Sequence, residues 1–197
     1  MRAYLRIGTA LALAVAASGC ALLGGGGKAP PVLFTLSSDA PPAAPTRSSA
    51  VGETVTIETP AIPKELRTVR VPVDIGLTQV QYVANLQWFD TPDRLFQSLV
   101  EETVRRTTNR VVLDPNQATL DPGLVVTGQL NRFGYDSQQG AVVVQYDASL
   151  ATQGGTHVES RRFEASVPAD GKAATVSPAL NEAANQVAKQ VAQWIGG

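Results

Sequence analysis

Residues 124–167 read LVVTGQLNRFGYDSQQGAVVVQYDASLATQGGTHVESRRFEASV. Three runs that alternate apolar with polar residues, 124–135, 141–153 and 156–167, are separated by short polar or glycine-containing stretches at 136–140 and 154–155. Connections this short leave no room for a crossover, so the runs are expected to pair as antiparallel strands. The middle run sorts cleanly. Val142, Val144, Tyr146, Ala148 and Leu150 share one face, while Gln145, Asp147 and Ser149 share the other. One face packs on a core, and the other meets water or a partner.

Helical patterns flank this region. Ser177-Pro178 offers a capping hydroxyl and then a residue whose fixed φ suits a first helical turn, so the last helix is expected to open there. Its stripe runs Leu180, Ala184, Val187, Val191 and Ile195, with Ala183, Ala188, Ala192 and Trp194 beside it. Small alanines let a helix lie close to a sheet; a partner-binding face is the alternative. Upstream, Thr91-Pro92 repeats the device, and Leu95, Phe96, Leu99, Val100 and Val104 supply the buried stripe of another helix. Glu101, Glu102, Arg105 and Arg106 fall on its solvated face with i,i+4 pairing available. Shorter strand signals occupy 54–58, 66–75, 79–83 and 110–113. Between the strands and the first helix stand Trp88 and Phe89, either an exposed aromatic anchor or, for Trp88, a core residue that seats the helix. The sum is an α+β domain over 52–197, a mostly antiparallel sheet with two main helices packed on one face.

The first residues carry a different code. Arg2 and Arg6 border the uncharged apolar run 7–17, and small Ser18 and Gly19 precede Cys20. A positive start, a short apolar core and small residues before a cleavage point describe a secretory signal over 1–19. The run is shorter than the roughly 20 apolar residues of a spanning helix. Ala17-Ser18-Gly19-Cys20 resembles a lipobox, with Ala17 where Leu is commoner. That resemblance implies cleavage between Gly19 and Cys20, lipidation of Cys20 and three acyl chains on the mature protein. Cys20 is the sole cysteine of the chain and has no intramolecular disulfide partner; a stray thiol beside an ordinary signal peptide is the alternative. Ala21 is not the Asp that commonly retains lipoproteins at the inner membrane. The expected address is the periplasmic face of the outer membrane, with inner-membrane retention left open.

Residues 20–51 are rich in Gly, Pro, Ala and Ser and read as a flexible lipidated tether. Gly27-Lys28 is no phosphate loop, because Leu22 occupies the required first Gly position and Ala29 replaces the Ser/Thr. Within the tether, 32–36 (Val32-Leu33-Phe34-Thr35-Leu36) is an apolar island, either an edge strand docked on the domain or a partner-binding segment.

Removing the signal leaves 178 residues, and the 16 basic residues less Arg2 and Arg6 leave 14 against 17 acidic, a net charge of −3. No basic surplus exists to hold a nucleic acid. Catalytic sets are hard to assemble. The one histidine, His157, stands beside Glu159 without a cysteine or a nucleophile-elbow serine to serve. One His and one committed Cys give no zinc set, and no calcium loop occurs. Neither a metal nor a cofactor is expected.

In this order the elements resemble the ABC-type transport auxiliary lipoprotein family over about residues 31–194. Phe34-Thr35-Leu36 falls where that family has a Tyr-x-Leu segment after the tether. Stretches 57–62 and 66–73 resemble its proline-punctuated early strands. Tyr82, then Trp88-Phe89-Asp90, then Leu95-Phe96 resembles its passage into the first helix. Gly128-Gln129-Leu130-Asn131-Arg132-Phe133 and an Ala-rich last helix complete the likeness. The resemblance implies a non-enzymatic subunit of an envelope ABC transport system of the mammalian-cell-entry (MCE) type, whose MCE protein carries lipid between membranes. Permease and ATPase would be separate chains, and this lipoprotein would dock the conduit at the outer membrane. Leu33, Phe34, Leu36, Trp88 and Phe89 are the candidate partner-binding residues, and self-association is left open. A freestanding outer-membrane assembly or pilotin-like lipoprotein, or a lipid-anchored hydrolase, is the alternative.

Overall fold

The computed structural model describes residues 32–43, 46, 48, 50, 52–76, 78–120, 123–152 and 157–196. Gly19, Cys20 and the expected signal lie outside them. In chain order the elements are β1 (Thr54–Ile57), a 3-10 turn (Lys64–Leu66), β2 (Arg70–Asp74), β3 (Val80–Gln87), α1 (Pro92–Thr107), β4 (Val111–Leu113), a second 3-10 segment (Pro115–Leu120), β5 (Leu124–Asp136), β6 (Ala141–Thr152), β7 (His157–Pro168) and α2 (Ala173–Gly196). All belong to one compact unit, Leu33–Gly197. That unit begins well before Gly52, where the sequence signals place the start of the domain.

β5, β6 and β7 form the expected antiparallel meander, interrupted by one bulge at Asn131. Tyr146 pairs with Leu130 on one side and Phe163 on the other, and all three are buried. Gly128 is required where the Tyr146 ring lies against the β5 backbone, since a Cβ there would fall 2.6 Å from the ring and 2.4 Å from the Asp147 carbonyl oxygen.

The rest of the sheet departs from the antiparallel expectation. β1 runs parallel to both β4 and β5, and β2 runs parallel to the far end of β5, so the seven-stranded sheet is mixed. Antiparallel pairing holds for β2–β3, β5–β6 and β6–β7. The β2–β3 hairpin and α1 together supply the crossover that parallel β1–β4 pairing demands. β5 is long enough that several segments share its second edge. β1 covers 124–126, Ala61 bridges Gln129, and β2 covers 135–136.

β3 breaks strand alternation for a local reason. Val83 and Leu86, three apart, are both buried. Between them Asn85 takes a positive φ of 57° within an irregular stretch of the β2–β3 pairing, and asparagine tolerates that conformation better than most side chains.

Both helices pack on the same core. Thr91 is the extended residue before α1 and Pro92 its first turn, yet the Thr91 hydroxyl makes no capping bond. Instead Asp90 Oδ1 accepts the Thr91 amide at 2.7 Å. The predicted stripe of α1 is buried throughout, and Phe96 meets Tyr146 edge-on at 5.1 Å. α2 corrects the sequence expectation, because it opens at Ala173 and carries Pro178 inside. Asp170 Oδ1 accepts the Lys172 amide at 3.0 Å and the Thr175 hydroxyl, and fully buried Val176 fixes the entering turn on the core. Pro178 sits on the exposed side, and Ala174, whose carbonyl loses its i+4 donor, is exposed too.

Candidate functional site

The corner where β3 ends carries most of the predicted site residues. The Phe34 amide donates to the Gln87 carbonyl at 2.9 Å, and the Phe89 amide donates back to the Phe34 carbonyl at 2.7 Å. The Trp88 amide donates to Val69 on the other side at 2.7 Å. Phe34 is thus a short parallel strand beside Trp88, the docked-edge reading of the apolar island. Strand alternation turns Phe34 and Trp88 inward and Leu33 and Phe89 outward. Trp88 is 1% exposed and lies 5.6 Å from the Phe133 ring, so it is a core residue rather than an anchor. Phe34 and Leu36 are half-buried against that core. Leu33, 47% exposed, and Phe89, 72% exposed, remain on the surface.

From this corner residues 37–40 run across both helices as a strap. The Ser37 amide donates to Asn181 Oδ1 at 2.8 Å, and the Asp39 amide donates to Asn185 Oδ1 at 3.0 Å. Asn185 Nδ2 donates to the Ser37 carbonyl at 2.8 Å, and Lys189 Nζ reaches Asp39 Oδ2 at 2.7 Å. On α1, Thr103 shares a hydroxyl contact with Ser38 at 3.2 Å, and Arg106 donates to the Ala40 carbonyl at 2.8 Å. Sequence reasoning missed these residues. The available signal was the i, i+4, i+8 spacing of Asn181, Asn185 and Lys189 on an Ala-rich helix. Asn185 itself is buried, where an amide must be satisfied.

The outer face of the meander is polar and largely satisfied by itself. Arg162 grips Asp147 through two bonds of 2.6 and 2.7 Å, and Asn131 donates to the same carboxylate at 2.9 Å. The Arg162 guanidinium holds the Asp147 carboxyl below its ordinary range, against a smaller opposing effect of burial. Ser149 and Ser160 share a hydroxyl contact at 2.8 Å, and Gln145 donates to Glu164. Two valines interrupt this polar face, Val143 buried and Val158 59% exposed.

His157 lies at the exposed start of β7, with Nε2 3.4 Å from Glu159 Oε1. Glu159 also accepts the Trp194 indole N–H at 3.2 Å. Those two contacts, the indole first, hold its carboxyl below the usual range. Ser160 is three positions along the strand and therefore on the opposite face from His157, which rules out a serine–histidine pair there.

A shallow cleft of about 710 Å³ between the far ends of α1 and α2 is lined by Glu53, Thr107, Asn109, Arg110, Gln193 and their neighbours. Arg110 Nε donates to the Ile195 carbonyl at 3.0 Å, placing positive charge where the last α2 carbonyls need it. A second cleft surrounds Arg132, which is already bound by Asp136 at 2.7 Å and Asp74 at 3.2 Å. Among the described residues lining the first cleft, the Thr107 and Thr108 hydroxyls donate to the Thr103 and Val104 carbonyls. Among the described residues no group of three or more His, Cys, Asp or Glu side chains is placed to hold a metal ion, and no helix is long and apolar enough to cross a membrane.

The sequence profile described as "ABC-type transport auxiliary lipoprotein component" matches residues 34–192. Its first matched residue is the first half-buried residue of the edge strand. No curated protein matches the chain by sequence. A crystal structure of a Xanthomonas campestris protein of the DUF330 family is similar over 83% of this chain and 94% of that one, with 16% identity and a TM-score of 0.66. Another crystal structure, of an uncharacterized protein, covers 84% of this chain and 97% of its own, with 14% identity and a TM-score of 0.59. At such identities these likenesses establish the fold alone.

Proposed function

Because the chain belongs to the ABC-type transport auxiliary lipoprotein family, we propose that it is the non-enzymatic lipoprotein subunit of an envelope ABC transport system of the MCE type. In this reading a lipid on Cys20 holds it at the periplasmic face of the outer membrane, where it docks the periplasmic lipid conduit. Its partners are an MCE protein and, through it, a permease and an ATPase on other chains.

The observation that carries the reading is the strap. Residues 34–40, inside the stretch expected to be tether, are fastened to the end of β3, α1 and α2 through at least eight hydrogen bonds and ion pairs of named residues. Any pull on the anchor is thereby delivered to the helical layer and the sheet, as a docking subunit requires. Confinement to a surface also raises the effective concentration of docking partners without any new contact.

Cys20→Ser should lose acyl labelling, leave the membrane fraction and reproduce the envelope lipid defect of a permease deletion, while His157→Ala should leave function intact. A Cys20→Ser chain that stays membrane-bound and functional would contradict the reading.

A further inference from the structure

We propose that Leu33 and Phe89, together with the basic segment 64–70, form a membrane-contact patch that seats the folded unit on the headgroup layer. The inference rests on the Cys20 anchor proposed above and adds a second point of contact. Two outward apolar side chains stand on adjacent, hydrogen-bonded backbones, since the Phe89 amide donates to Phe34, the neighbour of Leu33. An aromatic residue 72% exposed beside a leucine 47% exposed is an unusual place to leave apolar surface in water.

The surroundings fit phospholipid. Segment 64–70 carries Lys64, Arg67 and Arg70 against a single acid, Glu65. Arg70 pairs in register with Gln87, two residues from Phe89, and its guanidinium lies over the Tyr82 ring at 4.1 Å. Arg67 donates to the Ile62 carbonyl. Lys64, Arg67 and Arg70 make no ion pair with any carboxylate of the described residues, which leaves their charge for phosphate headgroups. Position on the chain points the same way. Leu33 lies thirteen residue steps beyond Cys20, so covalent geometry keeps the patch within about 45 Å of the anchor. Leu33, Phe89 and Val69, the last 36% exposed with its carbonyl bonded to the Trp88 amide, are too few for a specific protein interface of roughly 800 Å² per partner. They suffice as a supplementary interfacial contact beside an acyl anchor and basic residues.

The test uses the full acylated chain carrying Phe89→Cys, labelled with the fluorophore NBD and reconstituted in vesicles of phosphatidylethanolamine and phosphatidylglycerol. Lipid occupies Cys20, so the label reports position 89. The reference is the same label at Ser160→Cys on β7, the strand at the opposite edge of the sheet from β3. Quenching by headgroup-depth nitroxide lipid should be about threefold stronger at 89 than at 160. Equal quenching in vesicle-bound protein would overturn the patch and leave the anchor standing. Shielding that appears only on adding a conduit protein would also overturn it, in favour of a protein contact. A chain that fails to float with the vesicles would remove the anchor, and the patch with it.

Discussion

Asn185 and Asp39, 146 positions apart, are joined through the Asn185 carboxamide, whose Oδ1 accepts the Asp39 amide at 3.0 Å while its Nδ2 reaches the Ser37 carbonyl at 2.8 Å. One buried side chain thus satisfies the backbone on both sides of Ser38. Asn185 Nδ2 also donates to the Asn181 carbonyl one turn back, which fixes the rotamer that does so.

Asn185→Ala strands the Asp39 amide and the Ser37 carbonyl, and should lower stability by about 1–3 kcal/mol. Hydrogen exchange should rise across residues 37–40 more than in the meander. The check is thermal denaturation with site-resolved exchange. Unchanged protection of the Asp39 amide would deny Asn185 its role.

Adjacent Trp88 and Phe89 should behave oppositely. Trp88→Ala opens a cavity beside Phe133 and should cost about 3–5 kcal/mol. Phe89→Ala should change stability by no more than about 0.5 kcal/mol, as expected of an exposed position. Denaturant melts of both variants measure the contrast, and similar losses would contradict the assigned faces.

Asp136 should make the protein acid-sensitive. Burial opposes its ionisation, but the Arg132 guanidinium and the amides of Gln139 and Gln138 outweigh burial and hold its carboxyl below the ordinary value of 3.8. The folded state therefore retains the carboxylate after the unfolded chain has bound a proton. The resulting stability is fully present above 3.8 and is lost as pH falls through the depressed folded value. Asp136→Asn should cost about 1.5–3 kcal/mol at neutral pH. The gap between the two proteins should narrow in melts taken below pH 3.8, and a gap independent of pH would contradict this account.

The meander was legible because short turns and clean alternation leave a single pairing. Parallel β1 and β4 were not, since four-residue and three-residue strands gain their partners only after α1 has carried the chain across the sheet. Ser177-Pro178 misled because the cap signal is local, whereas Asp170, Thr175 and buried Val176 set the true start of α2 five residues earlier. The Trp88-Phe89 pair announced importance without saying which ring turned inward; the bridge to Phe34 decides that. Composition marked 20–51 as tether with only 32–36 as a candidate docked strand, yet Asn181 and Asn185 also capture residues 37–39, because a buried amide such as that of Asn185 needs partners.

As one subunit of a lipid-conduit transporter, the proposed role, this chain should copurify with the others. The most direct measurement is affinity purification of the acylated protein from detergent-solubilised membranes, followed by mass spectrometry. An MCE protein should be recovered together with an ABC permease. Repeated recovery of other outer-membrane proteins without either would contradict that role.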